Sequence, residues 1–155
     1  MATLKQKIAE DQKNALKTGD AIRLSTLRLL SAAISNKEIE LRKKDIGLSD
    51  EEILDVIGAE ARKRKDSIVE YTKANRQDMA EKETAELAIL QNYLPPEISD
   101  EDLLRIVKGG IREAGATSEK EFGKVMKAVM PLLKSKASGD RVSAVLQKEL
   151  GQKNA

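Results

Sequence analysis

The chain has 155 residues, 40% hydrophobic and 35% charged, with 28 Lys and Arg against 26 Asp and Glu for a formal charge of +2. That length suits one domain or two small bundles, and so even a balance excludes nucleic-acid binding through total charge, leaving only a local basic footprint. Cys and His are both missing, which excludes disulfides, thiolate metal sites and thiol nucleophiles and removes the commonest general base.

One Phe, two Tyr and no Trp, in a chain rich in Ala, Glu, Lys, Leu and Arg, point to an all-α fold. Seven helices are predicted. The first runs from about Leu4 to Thr18, with Thr3 as cap and Gly19 as stop. The second, from about Ala21 to Lys44 behind Asp20, carries Leu24, Leu27, Leu30, Ile34 and Leu41 on one arc. Ile22 and Leu29 fall on the other side, so burial on two faces is expected. Ser49 and Glu52 form a capping box for a third helix from Asp50 to Lys73, with a stripe of Ile53, Val56, Ile57, Ala61, Ile68 and Tyr71. A fourth follows from about Met79 to Tyr93.

Within "ARKRKDS" (61–67) the helical wheel disperses Arg62, Lys63 and Lys65 and turns Arg64 into the apolar arc. A charge in that position must be paired, so Arg64 is expected to bridge to Glu60, Glu83 or Glu86. A glutamate-rich helical core also suits a carboxylate-bridged metal, but that design needs Glu-x-x-His ligands and none can form here. Neither a metal nor a cofactor is expected. No catalytic residue is assigned, because no glycine-rich phosphate loop, nucleophile elbow or zincin helix is present.

Leu94-Pro95-Pro96 is the predicted domain boundary, since two prolines remove two amide donors and force Leu94 out of helical geometry. The expected division is a four-helix bundle over 1–94 and a three-helix bundle over 95–155. In the second part Ser99 caps a helix from Asp100 to Ala114, ended by Gly115, and Gly109 and Gly110 mark a close packing point or a kink. Ser118 and Glu121 read as another capping box. Phe122, Val125, Met126, Val129, Met130 and Leu133 form the next stripe, with Lys120, Lys124 and Lys127 opposite. Pro131 should kink or end that helix near Met130. Ser138 or Gly139 then caps a last helix to Leu150, with Gly151 as its stop.

Charge divides unevenly in this region. Glu97 to Glu121 holds four bases and seven acids, whereas Phe122 to Lys148 holds six bases and one acid, Asp140. Two readings are open. The basic stretch is a solvated face that keeps the bundle soluble, or it contacts phosphates through Lys124, Lys127, Lys134, Lys136 and Arg141, aligned on one outward ridge. With a single aromatic in the tail, base stacking is not expected, and shape and backbone recognition remain.

"GDAIRLSTLRLLSAAISNKEIE", "RKDSIVEYTKANRQDMAEKETAELAILQNYLP" and "FGKVMKAVMPLLKSKASGD" together resemble YqeY-like proteins of the GatB/YqeY family over about Leu4 to Leu150. The resemblance implies an all-α protein of four and then three helices. It also implies that the C-terminal bundle is similar to the tail of the B subunit of the glutamine-dependent amidotransferase that corrects mischarged Glu-tRNA and Asp-tRNA. There the tail contacts the tRNA body while the amidase and the ATP-dependent activation site lie elsewhere.

Two positions depart from the family pattern. Where the family has Gly-Arg-Ala-Asp-Gly this chain has Ser135-Lys136-Ala137-Ser138-Gly139, which keeps charge and capping ability but loses the bidentate guanidinium fork. Asn75 replaces a glycine, and asparagine tolerates the left-handed geometry of such a turn.

The expected function is a tRNA-binding or amidotransferase-related accessory module of translation without its own catalytic site. Its partners would be tRNA or another structured RNA, together with amidotransferase or aminoacyl-tRNA synthetase components. The alternatives are a component of a glutamine-dependent carbon–nitrogen ligase, and a protein-interaction module that uses the exposed side of the second helix. The polar, amphipathic start "MATLKQKIAEDQKNAL" and the lack of an apolar run near the roughly 18 residues of a membrane span lead to the expectation of a soluble cytoplasmic protein with no membrane partner.

Overall fold

The computed structural model describes residues 2–133 and 136–153. It contains α1 (Leu4–Thr18), α2 (Ala21–Glu40), α3 (Asp50–Lys73), α4 (Gln77–Gln91), α5 (Asp100–Ala114), α6 (Phe122–Leu133) and α7 (Gly139–Lys153). No strand occurs among the described residues, and no described helix is long and apolar enough to cross a membrane. The chain separates into two compact units, Met1–Leu94 and Pro95–Ala155.

In the first unit, local side-chain chemistry starts three of the helices. The Thr3 hydroxyl accepts from the Gln6 amide while the Gln6 side chain accepts from the Thr3 amide. Ser49 and Glu52 repeat that reciprocal arrangement ahead of α3. Asp20 accepts from the Arg23 amide at the start of α2. Each bond satisfies an amide that the first helical turn would otherwise leave open.

The core of this unit is Ile8 from α1, Leu27, Leu30 and Ile34 from α2, Ile53, Val56 and Ile57 from α3, and Leu90 from α4, with Leu48 from the preceding loop. Arg64 is buried among them, as its wheel position requires. Its guanidinium Nη1 lies 3.0 Å from the Glu60 carboxylate and its Nε 3.3 Å from that of Glu86. The Nε contact is an electrostatic approach and not an aligned hydrogen bond. Glu38, also buried, pairs with Lys5 at 2.7 Å.

Two expectations for α2 are corrected. The helix stops at Glu40 and not near Lys44, because Arg42 adopts a left-handed backbone (φ 56°). Burial on two faces does not occur either: Ile22 and Leu29 are about half exposed. Helices α1, α3 and α4 pack on the opposite arc, and no described element covers this one.

The second unit closes around Leu103, Val107 and Ile111 of α5, Val125, Val129 and Leu133 of α6, and Val142, Leu146 and Leu150 of α7. Gly110 is the close packing point between α5 and α6, since a Cβ built there would lie 2.3 Å from Val129 Cγ1. Three expectations fail in this unit. Ser118 makes no capping bond; the Glu121 carboxylate instead accepts from the Thr117 amide, and Glu119–Glu121 form one 3-10 turn before α6. Helix α6 does not end near Met130 but continues through Pro131 to Leu133, so the amide bond that proline forfeits is not enough to stop the last turn. Helix α7 continues through Gly151 to Lys153, since glycine ends a helix only when it takes a left-handed backbone there, and Gly151 is not among the positive-φ glycines.

Candidate nucleic-acid interface

Helix α6 buries Val125, Val129 and Leu133. At about 100° per residue this turns Lys124 and Lys127 outward within one turn of each other, and both are exposed. No acidic residue occurs on α6, so nothing on the helix itself offsets these charges. The Lys124 ammonium donates to the Ala114 carbonyl at 3.1 Å. It thereby caps the negative end of the α5 dipole while keeping its charge, because the acceptor is neutral.

Lys136 and Arg141 lie at the other end of α6. The Lys136 backbone carbonyl accepts from the Ile98 amide at 2.8 Å, and its exposed side chain makes no ion pair among the described residues. Arg141 differs. It is half-buried in the first turn of α7, which Ser138 caps by accepting from the Arg141 amide. Its guanidinium donates to Asp100 at 2.7 Å, to the Ile98 carbonyl at 3.0 Å and to Glu97 at 3.3 Å. Two carboxylates therefore neutralise it, and it ties the start of α7 to the start of α5. Lys134 lies outside the described residues. The set thus falls into Lys124 and Lys127 at one end of α6 and Lys136 with Arg141 at the other.

The first unit holds a separate polar cluster. The Tyr93 hydroxyl donates to the Asp11 carboxylate at 2.5 Å, Arg23 lies 3.8 Å from Asp11, and the Lys7 ammonium stands 5.7 Å from the centre of the Tyr93 ring. Burial, and then the hydrogen bond to Asp11, push the phenol pKa upward, so this hydroxyl is a fixed donor at neutral pH. An open groove of about 630 Å³ adjoins it, lined by Thr3, Leu4, Lys7, Asp50, Leu54 and Tyr93 among others. The cluster links the end of α4 to α1.

The profile of the YqeY-like protein family matches residues 5–150.

The chain belongs to the YqeY-like family.

Relatives include the mitochondrial protein named altered inheritance of mitochondria protein 41. The protein of that name from Kluyveromyces lactis is 40% identical over 112 residues, covering 70% of this chain and 57% of the relative. The one from Lachancea thermotolerans is 39% identical over 87 residues, covering 56% of this chain and 46% of the relative. A match to the Pyrenophora tritici-repentis protein runs further, 28% identical over 150 residues, or 95% of this chain and 81% of the relative. The chain thus spans about half the length of the first two relatives. Their names place them in mitochondria, and this corrects the cytoplasmic expectation: polarity and the lack of an apolar span carry no information about compartment. Family membership fits an accessory, non-catalytic role.

Proposed function

We propose that this YqeY-like chain is a tRNA-binding or amidotransferase-related accessory module of translation, and that its C-terminal unit contacts structured RNA through phosphates. One observation carries the reading: the outer face of α6 presents Lys124 and Lys127 with no acidic residue on that helix. Lys136 supplies a further exposed cation beyond the helix end. Arg141 is reassigned from RNA contact to holding α7 against α5, since Glu97 and Asp100 occupy its guanidinium. Backbone contact of this kind positions an RNA without reading its bases.

The test is a titration of fluorescent tRNA with the wild-type protein and with Lys124→Glu/Lys127→Glu/Lys136→Glu. The triple variant is expected to bind at least tenfold more weakly at low salt. Equal affinity of the two proteins would overturn the proposal.

A second reading, a protein-interaction module, is favoured by α2, where Ile22, Leu29 and Ile39 are 50%, 52% and 61% exposed. Partner recovery that survives RNase treatment but is lost in Ile22→Lys/Leu29→Lys would favour it.

A further inference from the structure

Helix α5 contains two consecutive glycines with opposite surroundings. Gly110 faces α6 and has a steric reason, because Val129 occupies the space of its missing Cβ. Gly109 has none: a Cβ built there meets nothing within 4 Å. A mid-helix glycine costs stability relative to alanine, so internal packing leaves Gly109 without a purpose. What the missing side chain does is bare a stretch of helix backbone on the outer side of α5.

A stripe of cations runs along one side of that bare stretch. With Leu103, Val107 and Ile111 buried, Arg105, Lys108 and Arg112 fall within about 60° of arc on the solvent side, and all three are exposed. Arg105 is paired with Asp102 at 3.0 Å. Lys108 and Arg112, before and after Gly109, make no ion pair among the described residues. Glu101 and Glu113 also lie on the exposed side, Glu101 near the N-terminal end of α5 and Glu113 one turn beyond Gly109, on the side away from the cations. Lys124 from α6 reaches the C-terminal end of the same helix through the Ala114 carbonyl. The C-terminal half of α5 therefore joins the α6 face to a second run of positive charge.

We infer that this part of α5, with Lys108 and Arg112 along one side of the bare backbone at Gly109, is a second RNA contact that seats the phosphodiester backbone of a structured RNA. The inference rests on the RNA-binding reading above. It adds a location, and it gives Gly109 a role: the missing Cβ lets a sugar-phosphate strand come close to the helix while the two cations engage neighbouring phosphates.

Gly109→Gln separates this role from a structural one, because glutamine is a better helix former and fits the open space. In a fluorescent-tRNA titration the Gly109→Gln protein is expected to unfold at the same or a higher temperature than wild type, yet bind about tenfold more weakly. Lys108→Gln/Arg112→Gln should reduce the slope of log affinity against log salt by about two. The inference is overturned if both variants bind tRNA like wild type while Lys124→Glu/Lys127→Glu/Lys136→Glu binds weakly. If none of the three weakens binding, the RNA-binding reading falls together with it.

Discussion

Glu52 performs two tasks in the first turn of α3. One carboxylate oxygen accepts from the Ser49 amide and the other from the Lys43 ammonium at 2.8 Å. The Lys43 bond first, and the Ser49 amide second, lower its pKa from 4.5 to about 2. A carboxyl whose folded pKa is depressed stabilises the fold above its unfolded pKa, and that contribution is lost as pH falls through the folded value. Glu60 shifts in the same direction: burial raises its pKa, but hydrogen bonds from Arg64 and Lys63 more than offset this. Glu52→Gln keeps the capping hydrogen bond and removes the charge. The gap in melting temperature between wild type and Glu52→Gln is therefore expected to be constant above about pH 5 and to close between pH 4.5 and pH 2. A gap independent of pH over that window would show that the Lys43 pairing contributes nothing.

At the scale of the element, helix ends and close contacts decide most of the packing. Helices α1, α2, α3 and α5 finish with a left-handed residue: Gly19, Arg42, Asn75 and Gly115. The following amide then bonds back across the last turn, as Lys43 does to Glu38 and Arg76 to Tyr71, which is the Schellman arrangement. Arginine in this conformation is strained by about 1–2 kcal/mol. Arg42→Gly is accordingly expected to raise stability in urea unfolding by about 0.5–1 kcal/mol once the extra freedom of unfolded glycine is subtracted, whereas Arg42→Ala should leave it unchanged.

Gly110 calls for the opposite sign. Helix propensity alone favours alanine by about 1 kcal/mol, but the contact with Val129 Cγ1 makes Gly110→Ala destabilising by about 1–3 kcal/mol. Adding Val129→Ala should recover part of that loss. A stabilised Gly110→Ala protein would show that α5 and α6 do not meet this closely.

The same elements show what a sequence of this kind reveals. Thr3, Ser49 and Ser99 are readable as caps because the bonds they make reach only three residues along the chain. Arg64 is readable because a charge inside an apolar arc needs a partner one turn or one helix away. The Ser118–Glu121 pair has the same spacing as the true capping box at Ser49–Glu52, yet Glu121 turns to Thr117; the pattern is necessary for that cap and not sufficient. Arg42 carries no glycine to announce its turn. The uncovered arc of α2 could not be told from a buried one, since Ile22 and Leu29 are as apolar as Leu27 and Leu30 and only the placement of other helices separates them.

For the whole molecule, charge and its pairing set what the C-terminal unit can hold. The swing from acidic to basic near Phe122 is visible by counting. Its cancellation at Arg141 is not, because Glu97 and Asp100 lie 44 and 41 residues away in the chain. Lys108 and Arg112 were hidden for a related reason: counting by segment assigns them to the acidic half, whereas in the fold the C-terminal end of α5 meets Lys124.

The salt dependence of tRNA binding separates phosphate contact from any uncharged mode of association. Because phosphate contact releases counterions, log affinity should fall linearly with log salt, and replacing Lys124, Lys127 and Lys136 by glutamate should flatten that line by roughly 0.9 for each lost contact. A binding constant indifferent to salt, or a slope left unchanged by the three substitutions, would show that these lysines do not contact phosphates.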